Sequence, residues 1–453
     1  MSTAQILITV VAGVSLLLIM VLKFKISAFI SLLVSSMLVG ILSGMPLESI
    51  LDSIQEGMGG TLGFVAVVVG LGAIFGQILE SSGGAESLAH YLVRKFGTDK
   101  ASWAMVITGF IVAIPVFLDV GLVILAPILY ALSRDTKRSL LYYGIPLLAG
   151  LAVTHSFMPP TPGPIAVADI LEAQLGWVIF FGFLLGFPTA VIAGPVFGKY
   201  IAGKINVKPP EDMMQVQSGK DPKPEKLPSF RSIALLIAVP LVLILVNTFT
   251  SVLVDKEVIG KTLLSDILIF LGHPFSALII AALLAVYFLG IRRGKSRQEL
   301  LDLSNKALGP AGIIILVTGA GGVLKQILVD SGIGEMMAQS ISDSALPPIL
   351  LAWILAAIVR VTQGSATVAM ITAAGIMAPV LSFINPSDPQ LALIVISIAS
   401  GATLLSHVND SGFWLVSKYF GMDEKQTLRS WTVMESIIAF CGLAFTMLAS
   451  LFV

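Results

Sequence analysis

A few groups in this chain could do chemistry inside sequence that is otherwise apolar. Asp119 sits amid Phe117, Leu118 and Val120, and Arg360 lies four residues before Gly364-Ser365-Ala366-Thr367. His155 and His407, two of only 4 histidines, follow Thr154 and Ser406 in a pair of similar stretches. These are Thr154–Pro164 (Thr-His-Ser-Phe-Met-Pro-Pro-Thr-Pro-Gly-Pro) and Ser406–Trp414 (Ser-His-Val-Asn-Asp-Ser-Gly-Phe-Trp). Ionisable groups in apolar spans are costly and mark functional sites. A carboxylate such as Asp119 can carry a proton or cap a helix N-terminus, and the two roles are compatible. A buried guanidinium needs a partner. For Arg360 that partner is a substrate carboxylate held as a bidentate pair, or else Asp410 or Asp119. Histidine donates, accepts or relays a proton near neutral pH. Glycine at 364 lets backbone approach closely. The hydroxyls of Ser365 and Thr367, with free N–H groups beside them, suit an anion or a polyol. Thr154, His155, Thr161, Arg360, Gly364, Ser365, Thr367, Ser406, His407 and Asn409 are therefore the candidate binding residues. Asp119, His155, His407 and Asp410 are the candidate proton-coupling groups. Neither a metal nor a cofactor is expected.

The elements that must position these groups are membrane helices. The chain of 453 residues is 56% hydrophobic and 12% charged, against roughly 25% charge in a soluble domain. Its mean hydropathy is +0.96. Its 27 basic and 27 acidic residues cancel, which suggests no nucleic-acid partner. The single cysteine, Cys441, excludes a disulfide framework or a cysteine-based metal cluster. Residues 5–22 lack a basic lead-in and a small-residue cleavage site, so they read as a retained span. Spans of about 20 apolar residues fall near 5–22, 26–43, 60–80, 177–199, 232–251, 264–290, 308–328 and 431–452. Softer pieces at 84–100 and 332–345 read as interfacial. Two further spans, 139–175 and 390–420, are broken by the Thr-His and Ser-His stretches. Unwound backbone in hydrocarbon costs several kcal/mol per unsatisfied group unless it lines a cavity or is buried in protein. Matched breaks in two halves point to a transporter's binding site.

Positive charge orients the chain. Lys23, Lys25, the linker 203–231 with its prolines and lysines, and Arg292-Arg293-Gly294-Lys295 belong in the cytoplasm, leaving both termini outside. The run 101–133 has Arg94, Lys95 and Lys100 before it and Arg134, Lys137 and Arg138 after it. Both its ends are therefore cytoplasmic. Two limbs of about 15 residues rise only ~22 Å against a core of ~30 Å, so this run reads as a re-entrant hairpin with its turn near residues 117–121. The alternatives are a tight full hairpin or a single span, and a single span would invert all later loops and put the basic linker outside. The run 347–383 is flanked by Asp330, Glu335, Asp343 and Asp388. It reads as a hairpin entering from outside, with its turn at Gln363–Thr367. Gln77-Ile78-Leu79, Ser82-Gly83 and Glu86 recur as Gln326-Ile327-Leu328, Ser331-Gly332 and Glu335 at a constant offset of 249. A hairpin, a broken helix and a final span follow each copy. The expected fold is all-α and polytopic. It has two inverted repeats, 1–202 and 232–453, with about ten spans, two re-entrant hairpins and two broken helices at the site.

Several of these motifs resemble the gluconate permease family, the gluconate:proton symporters. They are Ser406–Trp414, Gly60-Thr61-Leu62-Gly63, Gln363-Gly364-Ser365-Ala366-Thr367-Val368-Ala369, and Thr154-His155 with Pro159-Pro160. The resemblance runs from about residue 20 to the C-terminus. It implies an inner-membrane symporter for gluconate or a related sugar acid, with the paired hairpins and broken helices of the wider ion-transporter superfamily. Family members also carry other hydroxylated acids and D-serine, and dimers occur in the superfamily, so a homodimer is possible here. There are two departures. Asp119 stands where the family has Glu in Phe-x-Glu-Val-Gly, and Thr161 stands where it has His in Pro-Pro-His-Pro-Gly-Pro. The second removes a titratable ring from the first break and so bears on which acid is carried.

The reading that follows is a secondary active transporter importing a small hydroxylated anion with protons through the lipid bilayer. A sodium-coupled carboxylate carrier is the alternative, since hydroxyls beside unwound carbonyls also suit sodium. A passive channel would differ in failing to accumulate substrate uphill. An enzyme is not expected, because no His-Glu-x-x-His, catalytic cysteine or Gly-x-Ser-x-Gly is present.

Overall fold

The computed structural model describes residues 3–210, 227–333 and 346–453. Most of the linker's interior (211–226) and nearly all of the second interfacial piece (334–345) lie outside the described residues. The described residues are helical throughout, without strands. The first repeat opens with α1 (Thr3–Leu22), α2 (Ala28–Leu42) and α3 (Leu47–Ser81). Then come α4 (Gly84–Phe96), α5 (Ala101–Val112), α6 (Leu118–Thr136), α7 (Leu141–Phe157) and α8 (Pro162–Ile170). It closes with α9 (Leu175–Val191), which runs through a π turn into α10 (Phe197–Ala202). The second repeat has α11 (Phe230–Asp255), α12 (Leu263–Gly272), α13 (Pro274–Ala285) and α14 (Arg297–Asp330). It continues with α15 (Pro348–Gln363), α16 (Ala366–Ile384), α17 (Asp388–Gly401), α18 (Ser411–Phe420), α19 (Glu424–Thr427) and α20 (Val433–Ala449).

Among the described residues, 8 helical segments are long and apolar enough to cross a membrane. Shorter apolar helices complete the set, among them α2, α5, α12, α15 and α17. Two kinds of boundary differ from the hydropathy reading. The long helices begin earlier than 60 and 308, at Leu47 and Arg297. Their first turns carry Glu48, Asp52 and Glu56, or Arg297, Glu299 and Asp302, so hydropathy misses helix that leaves the apolar layer. Ser296 and Glu299 form a capping box there, with Ser296 N–H donating to Glu299 Oε2 at 2.6 Å. The stretch 264–290 is not one helix but two. Pro274 cannot donate into a continuing ladder, and it holds His273 in an extended conformation.

The two halves are inverted. Ser53, near the start of α3, donates to Asp330 at the end of α14 at 2.6 Å. Gly70, toward the far end of α3, lies against Leu308, near the start of α14. The equivalent helices therefore run antiparallel. Each is followed by a hairpin (α5–α6, α15–α16), a broken helix (α7–α8, α17–α18) and a closing span. The large side chains that seal the bundle include Tyr143, Phe157, Phe413 and Phe420, all fully buried. In lipid such packing rests on close van der Waals fit rather than on the exclusion of water between helices.

Candidate functional site

The two hairpin tips and the second break owe their form to local sequence. In the first hairpin α5 ends at Val112, Phe117 takes an extended conformation, and α6 starts at Leu118 with Asp119 in its first turn. In the second, Gly364 closes α15 with φ +84°, in the left-handed region. A Cβ there would collide with the Asn409 backbone, so glycine is required on both counts. Ser365 then caps α16, its oxygen accepting from Val368 N–H at 3.4 Å. At the second break Asp410 caps α18 by accepting from Gly412 N–H at 3.0 Å. The first break contains a cis Pro159–Pro160 bond before α8.

These pieces meet around a cavity of about 630 Å³. Its wall takes Phe117, Leu118 and Asp119 from the first tip, and His155 and Ser156 from the first break. The second hairpin supplies Arg360 and Gln363 through Thr367. The second break supplies Thr403 and Asn409 through Gly412, and the last span adds Trp431 and Glu435. The first turns of α6, α16 and α18 all reach this wall. The positive ends of three helices thus converge on one space.

Arg360 is 3% exposed and tightly held. One terminal nitrogen sits 2.5 Å from Asp410 Oδ2, and the other donates to the Gly364 carbonyl. Its Nε is buried without a partner. Asp410 also accepts from the Ser406 hydroxyl, and Ser406 in turn accepts from Trp431 Nε1 at 2.7 Å. The Val361 carbonyl ties the break to the hairpin, with His407 Nε2 at 3.1 Å and Asn409 Nδ2 at 3.0 Å. Of the three partners open to Arg360 in the sequence, the structure pairs it with Asp410. His155 packs edge-on against Phe117, with ring centroids 6.0 Å apart. Its Nδ1, like Gln363 Oε1, is buried without a partner.

The cavity gathers Asp119, His155, Arg360, Gly364, Ser365, Thr367, Asn409 and Asp410 on its wall. Thr154, Thr161, Ser406 and His407 stand behind it. Thr154 is fully buried. The Thr161 hydroxyl donates to the Met158 carbonyl inside the break, beside a small space lined by Val69, Gly72 and Pro160. Of the wall residues outside the sequence-derived set, Gln363 and Glu435 matter most for charge and hydrogen bonding. Gln363 lies within the turn motif but carries no charge to single it out. Glu435 is conspicuous as a charge in a span, yet only the fold brings the last helix against Arg360. Lys325, away from the cavity wall, pairs with Glu172 at 2.7 Å. Among the described residues no group of three or more His, Cys, Asp or Glu side chains is placed to hold a metal ion.

The model of the GntP family permease matches residues 5–452. The low-affinity gluconate transporter of Escherichia coli K12 is 40% identical over 449 residues, covering 99% of each chain. The gluconate permease of Bacillus subtilis is 40% identical over 450 residues, covering 99% of this chain and 100% of that one. The Gnt-II system L-idonate transporter of E. coli K12 is 38% identical over 437 residues, covering 96% and 97%. Among solved structures, MtrF of Neisseria gonorrhoeae, described with a class of antimetabolite efflux pumps, superposes with a TM-score of 0.63 at 16% identity. The match covers 88% of this chain and 83% of that one, a likeness of fold alone.

Proposed function

This chain belongs to the GntP permease family, and from that membership we propose that it imports gluconate or a related hydroxylated acid together with protons. The observation that carries the reading is the charge inventory of the cavity. Arg360 is matched by Asp410, while Asp119 and Glu435 add two more carboxylates to the same wall. An organic anion entering this low-dielectric space meets like charge, which favours the protonated form of a neighbouring carboxylate. Anion and proton then promote each other's binding, which is the thermodynamic content of symport. The substrate carboxylate would lie between Arg360 Nε and the helix N-termini at Ala366 and Ser411. Ser365, Thr367, Asn409 and His155 would meet its hydroxyls. Thr154, Thr161, Ser406 and His407 act one layer behind, holding the two breaks in shape. Asp119, Asp410, His155 and Glu435 are the groups placed to take the coupling proton.

Sodium coupling finds less support. The Gly364 carbonyl, which a sodium site at this tip would use, is already taken by Arg360. The basic flanks support placing the protein in the bacterial inner membrane with both termini outside and 203–231 in the cytoplasm. On this reading the repeats 1–202 and 232–453 present one site alternately to the two sides.

Proteoliposomes and labelled gluconate test the proposal. Uptake should rise with an imposed inside-alkaline pH gradient and stay unchanged when choline replaces sodium at fixed pH. Uptake indifferent to the pH gradient would falsify it. Relatives named for gluconate and for L-idonate are nearly equally similar to this chain. A thermal-shift panel of sugar acids therefore chooses the substrate, since a bound ligand stabilises by mass action.

A further inference from the structure

A second polar space abuts the substrate cavity. It measures about 210 Å³ and is lined by Gln77, Glu80, Val116, Phe117, Lys306 and Pro310, among others. Phe117 and Pro310 belong to both walls. The relation of the two spaces is fixed by α14. Pro310 and Ile314 face the cavity, whereas Lys306, Ala307 and Pro310 face the chamber. The chamber thus lies one helical turn closer to Arg297. On α3 it reaches Glu80, the residue before the helix ends at Ser81. Because α3 and α14 are antiparallel, both displacements point the same way. With the orientation argued from charge, that way is toward the cytoplasm. Lys306 is exposed and lies on the chamber wall, on the charged, N-terminal part of α14.

The chamber contains a polar set that substrate binding leaves unused. Gln77 Nε2 donates to Glu80 Oε2 at 3.1 Å and fixes that carboxylate toward the hairpin. Lys306 on α14 and Asp119 on α6 are both near enough for their charges to act on Glu80. His155 shares the cavity wall with Asp119 and feels its charge in turn. Asp119 lines the cavity, and the next residue, Val120, lines the chamber. The tip is pinned at this level by Gly76, where a Cβ would overlap the Pro115 carbonyl.

We propose that this chamber is the proton's way out, with Glu80 relaying from Asp119 to the cytoplasmic side and Phe117 standing on the wall shared by the cavity and the chamber. The O–H bond of protonated Asp119 breaks, and its proton passes through water held in the chamber to the Glu80 carboxylate. Asp119 is left anionic. Glu80 then loses the same proton to cytoplasmic water, and Lys306 stabilises the carboxylate that remains. The space is roomy and polar enough to hold such water. This inference rests on the transport reading above and extends it to the path of the ion.

The test separates translocation of substrate from release of the proton. In proteoliposomes, Glu80→Gln should keep exchange of external labelled gluconate for internal unlabelled gluconate, at equal pH, within about 2-fold of the unaltered protein. Its accumulation driven by an inside-alkaline gradient should fall at least 10-fold, and Glu80→Asp should recover part of it. Glu80→Ala, with the same expected split, serves if the Gln variant inserts poorly. Accumulation that survives either substitution overturns the relay. So does an equal loss of exchange and accumulation in protein with an unchanged thermal transition. If the unaltered protein exchanges no gluconate, the transport reading falls first and the relay with it.

Discussion

The pairing of Arg360 with Asp410 shows what a sequence can and cannot give at the scale of one residue. That Arg360 needs a partner was legible, because a guanidinium in an apolar run must be accounted for. Its partner was not, because the 2.5 Å contact joins residues fifty apart across a hairpin and a break. Composition and spacing do not say which face of a helix a side chain occupies, so they do not bring Glu435 to the cavity wall either. The geometry makes two expectations concrete. Asp410→Asn leaves Arg360 buried and uncompensated, a loss on the order of 3–5 kcal/mol. It should lower the thermal transition in detergent more than the double substitution Arg360→Met with Asp410→Asn does. A double variant less stable than Asp410→Asn alone would contradict the pairing. Glu435→Gln removes a negative charge from the wall. In the unaltered protein gluconate affinity should weaken as pH rises, because on the symport reading anion and proton bind together. In the variant that weakening should be smaller. Titrating affinity at pH 6 and pH 8 in both proteins checks the sign.

At the scale of elements, the two helix–turn–helix runs were readable because flanking charges of one sign and short limbs favour a turn inside each run. The broken helices were readable because Pro and Gly interrupt apolar runs. Helix ends were less so, since hydropathy registers only the portion in contact with lipid. The charged early turns of α3 and α14 disappear from it, and the His273–Pro274 interruption is masked by apolar residues on both sides. The second hairpin tip is the element most exposed to a single change. Gly364 has φ +84° and lies against the Asn409 backbone. Gly364→Ala should pay about 1–2 kcal/mol for a left-handed L-residue and also push the break away from the tip. Transport should fall more than 10-fold while the protein still inserts and purifies as before. Wild-type uptake in this variant would mean that the tip and the break need not touch during the cycle.

For the whole molecule, the antiparallel course of α3 and α14 turns a repeat in the sequence into an inversion across the membrane. The inversion fixes which sides are opposite, and only the distribution of basic residues says which side is the cytoplasm. The two statements can therefore be tested apart. Cys441→Ser gives a background without cysteine, because the chain has only that one. Lys208 is exposed just beyond α10, and Lys261 is exposed between α11 and α12. One helix of membrane-crossing length, α11, separates them, so they should lie on opposite faces. A membrane-impermeant maleimide added to intact cells should label Lys261→Cys at once and Lys208→Cys only after lysis. Labelling of Lys208→Cys alone would keep the inverted repeat but reverse the molecule, so that the chamber beside Glu80 would open outward. Labelling of both in intact cells would break the α11 crossing itself. The positive-inside argument predicts the first outcome, because the basic linker next to Lys208 is costly to translocate.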